Sequence, residues 1–233
     1  MRRRAIVRSS WMVGGGLLSA LAYRSAIRPR LLRWGATDDE LKASMPGDED
    51  VQRPILVATR AVTINAPPSS VWPWIVQIGY HRAGWYAYDL FDNDDIPSAE
   101  SILPEFQQLE IGQVIGEEGN AVREIVPERH LLLGFHHPKV EWVFKQGIWP
   151  KFGSETLCLQ LKPLQDGQRT RLVYRVRIAA PAVFVPILLG FFEPADFVAS
   201  RKMLAGIKRR AETASALRPG KQPNDTATLA LLR

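Results

Sequence analysis

Residues 70–89 read SVWPWIVQIGYHRAGWYAYD and hold three tryptophans and three tyrosines of the chain. Gly79 and Gly84 break the run, and besides the tyrosines three side chains in it are charged or readily become so: His81, Arg82 and Asp89. Pockets for small molecules are mostly apolar and aromatic, with a few polar groups that fix orientation. Trp85, Tyr86 and Tyr88 are therefore candidate wall residues, and His81, Arg82 and Asp89 candidate polar contacts. The other reading of the rings is core packing, and of Arg82 with Asp89 a structural ion pair.

The remaining candidates are sparser. His136 and His137 are adjacent, so on a strand they point to opposite faces and do not chelate together. No His-Glu-x-x-His spacing, phosphate loop or nucleophile elbow is present. No metal and no cofactor is expected. One of the two histidines, His136, is a candidate polar group facing a cavity, and with Asp89, Glu141 and His81 completes the set of possible acids and bases. No catalytic residue is assigned. The single cysteine, Cys158, excludes an intrachain disulfide and a cysteine-rich zinc site.

Charge is unevenly placed. Residues 1–34 carry eight arginines and no acid, and the remainder is close to neutral. Nucleic-acid binding calls for a basic face on the folded body, so no nucleic-acid partner is expected. Between Arg8 and Arg24 runs SSWMVGGGLLSALAY, fifteen residues without charge. As a helix this spans roughly 22 Å, short of the hydrocarbon core. Three readings stand: a short membrane anchor with its arginines at the interfaces, a secretory signal, or a segment packed on the body. The leading expectation is membrane association through residues 9–23, with a secreted or periplasmic location as the alternative.

The elements that would position the candidates follow from the pattern. Thr37 and Glu40 form a capping box for a short helix in an acidic, turn-rich segment that wraps onto the domain. Residues 55–66 alternate as a strand. Ser69 or Ser70 caps a helix to about Ile78, with Pro73 in its first turn, and a second short helix covers 85–91. Strands are predicted over 113–117, 121–126, 130–136, 140–146, 154–162 and 169–179. In the last, Arg171, Arg175 and Arg177 alternate with apolar residues, which predicts one wet face and one buried face. Residues 193–214 form a long amphipathic helix with Pro194 in its first turn and Lys208, Arg209 and Arg210 near its end. The domains are an arm (1–33), a body (34–214) and a disordered tail (215–233).

This order is α+β: strand, short helices, antiparallel strands, long helix. WGATDDE (34–40), MPGDE (45–49), VQIGYHRAGWYAYD (76–89) and FEPADFVASRKMLAGIKRRAE (192–212) resemble a bacterial branch of the START-like, or SRPBCC, superfamily. The resemblance implies a helix-grip fold, a bent antiparallel sheet around the C-terminal helix with an apolar cavity between them. It includes Bet v 1-type, polyketide cyclase-like and lipid-transfer proteins, so it implies either a hydrophobic small molecule or lipid as ligand, or a cyclase- or dehydratase-type enzyme. A structural module with a filled core is the third expectation.

Overall fold

The computed structural model describes residues 23–115, 120–135, 155–179 and 185–217. Five strands form one sheet in the order β1-β5-β4-β3-β2: β1 (Leu56–Ile64), β2 (Asn120–Val126), β3 (His130–Phe135), β4 (Glu155–Leu164) and β5 (Arg169–Ile178). Every pairing between neighbours is antiparallel. The α-helices used below are α1 (Arg28–Leu32), α2 (Asp38–Lys42), α3 (Pro68–Val76), α4 (Asp89–Asp92) and the 24-residue α5 (Glu193–Ala216). The molecule is α+β, an antiparallel sheet held against a long C-terminal helix, as the sequence predicts.

Period-two alternation builds the core. Leu172, Tyr174 and Val176 of β5, Leu159 and Leu161 of β4, and Leu131 and Leu133 of β3 share the inner face. Leu204, Ile207 and Ala211 of α5 meet them, together with Val71, Trp74 and Ile75 of α3. Each fully buried leucine or isoleucine contributes about 1.5–3 kcal/mol relative to exposure. One inward position of β1 is not apolar: Arg60 lies between Ala58 and Val62 and is wholly buried.

The outer face departs from expectation. Arginine at alternate positions of β5 predicted solvent, but residues 34–53 cover that side. Arg175 is only 4% exposed. It donates to Asp48 (2.7 Å), to the carbonyls of Glu40 (2.6 Å) and Ala43 (2.8 Å), and to Thr59 Oγ1 (2.9 Å). Arg171 grips Glu40 with two bonds of 2.7 and 2.8 Å. Beneath them Met45, Ala61, Leu132, Cys158 and Val173 form a second small apolar cluster. The acidic wrapping segment is therefore the electrostatic partner of the arginine face.

Thr37 and Glu40 make the expected capping box at α2. Burial pushes the Glu40 carboxyl up, but the hydrogen bond from Arg171 and the backbone bond from Thr37 outweigh it and hold the carboxyl below its ordinary value. A carboxyl held low in the folded state stabilises above its unfolded value, and that stabilisation is lost as pH falls through the folded value. Glu40→Gln should therefore melt at a lower temperature than the native chain at pH 7. The gap should close as pH falls below about 4. A gap that persists unchanged at low pH would contradict the ion pair.

Four local expectations are corrected. Helix α3 starts after Pro67, so Pro73 falls inside it rather than in the first turn. Its missing N–H leaves the Ser69 carbonyl without an intrahelical donor, at an exposed residue. The second short helix covers only Asp89–Asp92, because Tyr86 sits in the left-handed region at φ +57°. Of the strand predicted from Gln113, the described part makes a single bridge, Val114 to Ala121. Helix α5 runs on to Ala216, so Lys208–Arg210 lie in its body and Arg210 is buried. The strand predicted over 140–146, residues 1–22 and the tail from 218 lie outside the described residues.

Residues 23–32 pack on the body. Glu193, the first residue of α5, is fully buried and accepts from Tyr23 Oη (3.1 Å) and Arg28 Nε (2.9 Å). Among the described residues no helix is long and apolar enough to cross a membrane.

Candidate functional site

The aromatic run divides at a tight turn. Gly79 and Gly84 exchange both backbone hydrogen bonds at 3.1 Å. Gly84 has φ +74°, and a Cβ there would stand 2.3 Å from Ser98 Oγ, so only glycine fits. The turn between them carries His81 outward. Its Nε2 lies 3.1 Å from Asp94 and its ring stacks on Tyr80 at 4.0 Å. Arg82 turns back on the chain and donates to the carbonyls of Ile78, Val76 and Phe106, each at 3.1 Å, with Phe106 under its guanidinium. It closes the end of α3. No Arg82–Asp89 pair forms among these contacts. Asp89 instead accepts from Ser98, through the backbone N–H at 3.1 Å and through the hydroxyl.

Tyr86 enters the core. Its hydroxyl accepts from Gln77 (2.8 Å) and donates to the Trp74 carbonyl (3.2 Å). Arg210 lies 4.4 Å over its ring. Gly206 of α5 allows this approach, since a Cβ there would fall 2.6 Å from the Tyr86 carbonyl oxygen. Burial pushes the Tyr86 hydroxyl above its ordinary range. Tyr88 is at the surface, with Lys202 Nζ 3.8 Å from its ring centre. His136 lies outside the described residues.

Trp85 faces a pocket of about 170 Å³ between the sheet and α5. Docking of Tyr86 on α5 places Trp85 and Ala87 at its rim, and α4 adds Asp92. The sheet contributes Asn120, Glu155, Leu157 and Tyr174. Helix α5 contributes Asp196, Ala199, Ser200 and Met203, spaced to fall on one helical face. The walls thus combine apolar and aromatic side chains with polar ones, and the charged lining among the described residues is three carboxylates.

One of these is neutralised from behind. Arg60 reaches Asp196 at 2.6 Å and Ser200 Oγ at 2.8 Å, and its Nε donates to the Leu31 carbonyl at 3.0 Å. Tyr174 Oη donates to the other Asp196 oxygen at 2.8 Å. Burial first, and then Asp196, push the Tyr174 hydroxyl far above its ordinary value, so it stays protonated and donates. Arg60 Nη2 is buried without a hydrogen-bond partner. Asp92 differs. Its Oδ2 accepts from the Tyr88 N–H at 3.0 Å, whereas its Oδ1 is buried with no partner. Burial raises its carboxyl above the ordinary value, against the Tyr88 bond. Among the described residues no group of three or more His, Cys, Asp or Glu could hold a metal ion.

Sequence reasoning singled out Trp85 for this pocket region but not Asp92, Glu155, Tyr174, Asp196 or Ser200. Two signals were available. An arginine at an inward position of β1 must find a buried carboxylate. Asp196, Ser200 and Met203 share the helical period that also buries Leu204 and Ile207.

No family model and no curated protein matches the chain. Solved structures are similar at low identity. DynU16, a putative protein of the dynemicin biosynthetic locus, is 14% identical with a TM-score of 0.37, over 68% of this chain and 48% of that one. The chain thus spans about half of DynU16. CalU16 from Micromonospora echinospora is 14% identical with a TM-score of 0.33, over 69% of this chain and 85% of that one. NE0264 from Nitrosomonas europaea is 12% identical with a TM-score of 0.41, over 69% and 97%.

Proposed function

We propose that this chain is a START-like domain that binds a hydrophobic small molecule, or one end of a lipid, in the pocket between the sheet and α5. The observation that carries this reading is the pocket lining: Trp85, Leu157 and Met203 supply apolar surface, and polar groups stand at fixed positions around them. A cavity of about 150 Å³ accepts benzene. The described part of the pocket therefore holds a ring-sized group. Membrane association belongs to the same reading. Residues 1–22, with their arginines and uncharged run, precede Tyr23, which is fixed at the start of α5 one turn from Asp196. Phe91 and Phe191 are 83% and 74% exposed next to pocket-forming segments, the kind of surface a bilayer covers.

The test uses the full chain, purified in detergent, denatured and extracted with organic solvent, with a buffer-and-detergent blank. Mass spectrometry should find a stoichiometric hydrophobic molecule. Trp85→Ala should retain at least about tenfold less, as for removal of a large aromatic anchor. Equal retention by the variant would sink the pocket assignment.

A second reading, an enzyme of cyclase or dehydratase type, is favoured by Asp92. A carboxyl raised by burial beside a pocket can take and return a proton. Conversion of the extracted molecule by native protein but not by Asp92→Asn would select this reading over binding alone.

A further inference from the structure

We infer that residues 23–32 act as a strap that holds the pocket wall in its ligand-binding form, with Arg60 as the joint between them; this rests on the pocket being the ligand site. The strap has little hold of its own. None of its residues is fully buried. Residues Tyr23–Ile27 wind as a π-helix, a rare geometry, and the five-residue α1 is too short to stand without tertiary support. Its place is therefore set from outside. The two bonds to buried Glu193 and the half-buried Leu32 against the core hold it, and Arg60 Nε donates to the Leu31 carbonyl at 3.0 Å. The same guanidinium turns its Nη1 to Asp196 at 2.6 Å and to Ser200 Oγ at 2.8 Å, and both of these line the pocket. A guanidinium is planar, and its donors are fixed relative to one another. Arg60 Nη2 already lacks a partner, and undocking of the strap would leave Nε without one as well. Two unmatched donors on one buried cation are costly, so Arg60 must then shift toward the entering water and release Asp196 and Ser200. Both contacts bear on one helix, because Glu193 starts α5 and Asp196 and Ser200 follow on its next turns. A ligand that uses this wall binds best with the strap docked, and by linkage it holds the strap down. Residues 1–22 lead directly into the strap, so what engages the arm acts on the pocket.

The test is a linkage measurement on the full chain with phenol as the pocket probe. Binding is read by NMR at the indole N–H of Trp85, assigned with Trp85→Phe. Docking of the strap is read by amide hydrogen exchange of residues 23–32. In the native chain saturating phenol should slow that exchange at least about fivefold. Tyr23→Phe/Arg28→Met removes both of these bonds to Glu193 and changes no described lining residue. It should bind phenol at least about fivefold more weakly. A variant that does not fold leaves the decision to exchange in the native chain. Unchanged exchange, or equal phenol affinity in a folded variant, overturns the strap and leaves the pocket reading standing. No change of the Trp85 signal on adding phenol to the native chain overturns both.

Discussion

Arg60→Met is expected to destabilise the domain by about 3–5 kcal/mol, the loss typical of breaking a buried ion pair from one side. Arg60 is wholly buried, and its partner Asp196 is only 10% exposed. Removal leaves Asp196 with the Tyr174 hydroxyl as its remaining side-chain donor and strips the Leu31 carbonyl of its own. The charge would then stand in an apolar wall without compensation. Arg60→Met/Asp196→Leu should recover most of the loss, because apolar replacement of a whole buried pair is often neutral. Denaturant unfolding of the two variants measures both. A single-variant loss below about 1 kcal/mol, the worth of an exposed pair, would contradict the buried network.

The second large effect is on the other face of the sheet. Arg175→Met should cost about 3 kcal/mol, since several charge-assisted bonds to the wrapping segment go together. The readout is chemical. Cys158 is opposite Arg175 in the β4–β5 register and 2% exposed beneath residues 34–53. Burial pushes its thiol up to about 12, so it is protonated and shielded at neutral pH. It is the only cysteine of the chain, so thiol labelling reports this site alone. Arg175→Met should label much faster than the native protein under native conditions. Equal labelling rates would mean that the segment holds its place without Arg175.

Much of this fold is legible in the sequence. Alternation places β4 and β5, the Thr37–Glu40 box starts α2, and the 3.6-residue period of α5 identifies its buried side. Two features are not legible, for one shared reason. A charged side chain at an alternating position normally means solvent, and period alone does not reveal a carboxylate supplied from far along the chain. Arg175 therefore reads as wet although Asp48 meets it, and the inward place of Arg60 calls for a buried carboxylate without saying that Asp196, 136 residues on, supplies it. The candidate site was read around the aromatic run. The structure separates that run: Trp85 lines the pocket, Tyr86 packs under α5, and His81 stands outside beside Asp94. Left-handed backbone at His81 and Tyr86 makes this division, and neither residue type announces it.

The account centres on a ligand seated between Trp85 and helix α5. The most direct measurement is a crystal structure of the full chain grown with the molecule extracted from it. The account predicts density for that molecule bounded by Trp85, Leu157, Tyr174 and Met203, with a polar atom within hydrogen-bond distance of Asp92. Density elsewhere, or a pocket closed by the Trp85 and Met203 side chains with the molecule absent, would contradict it.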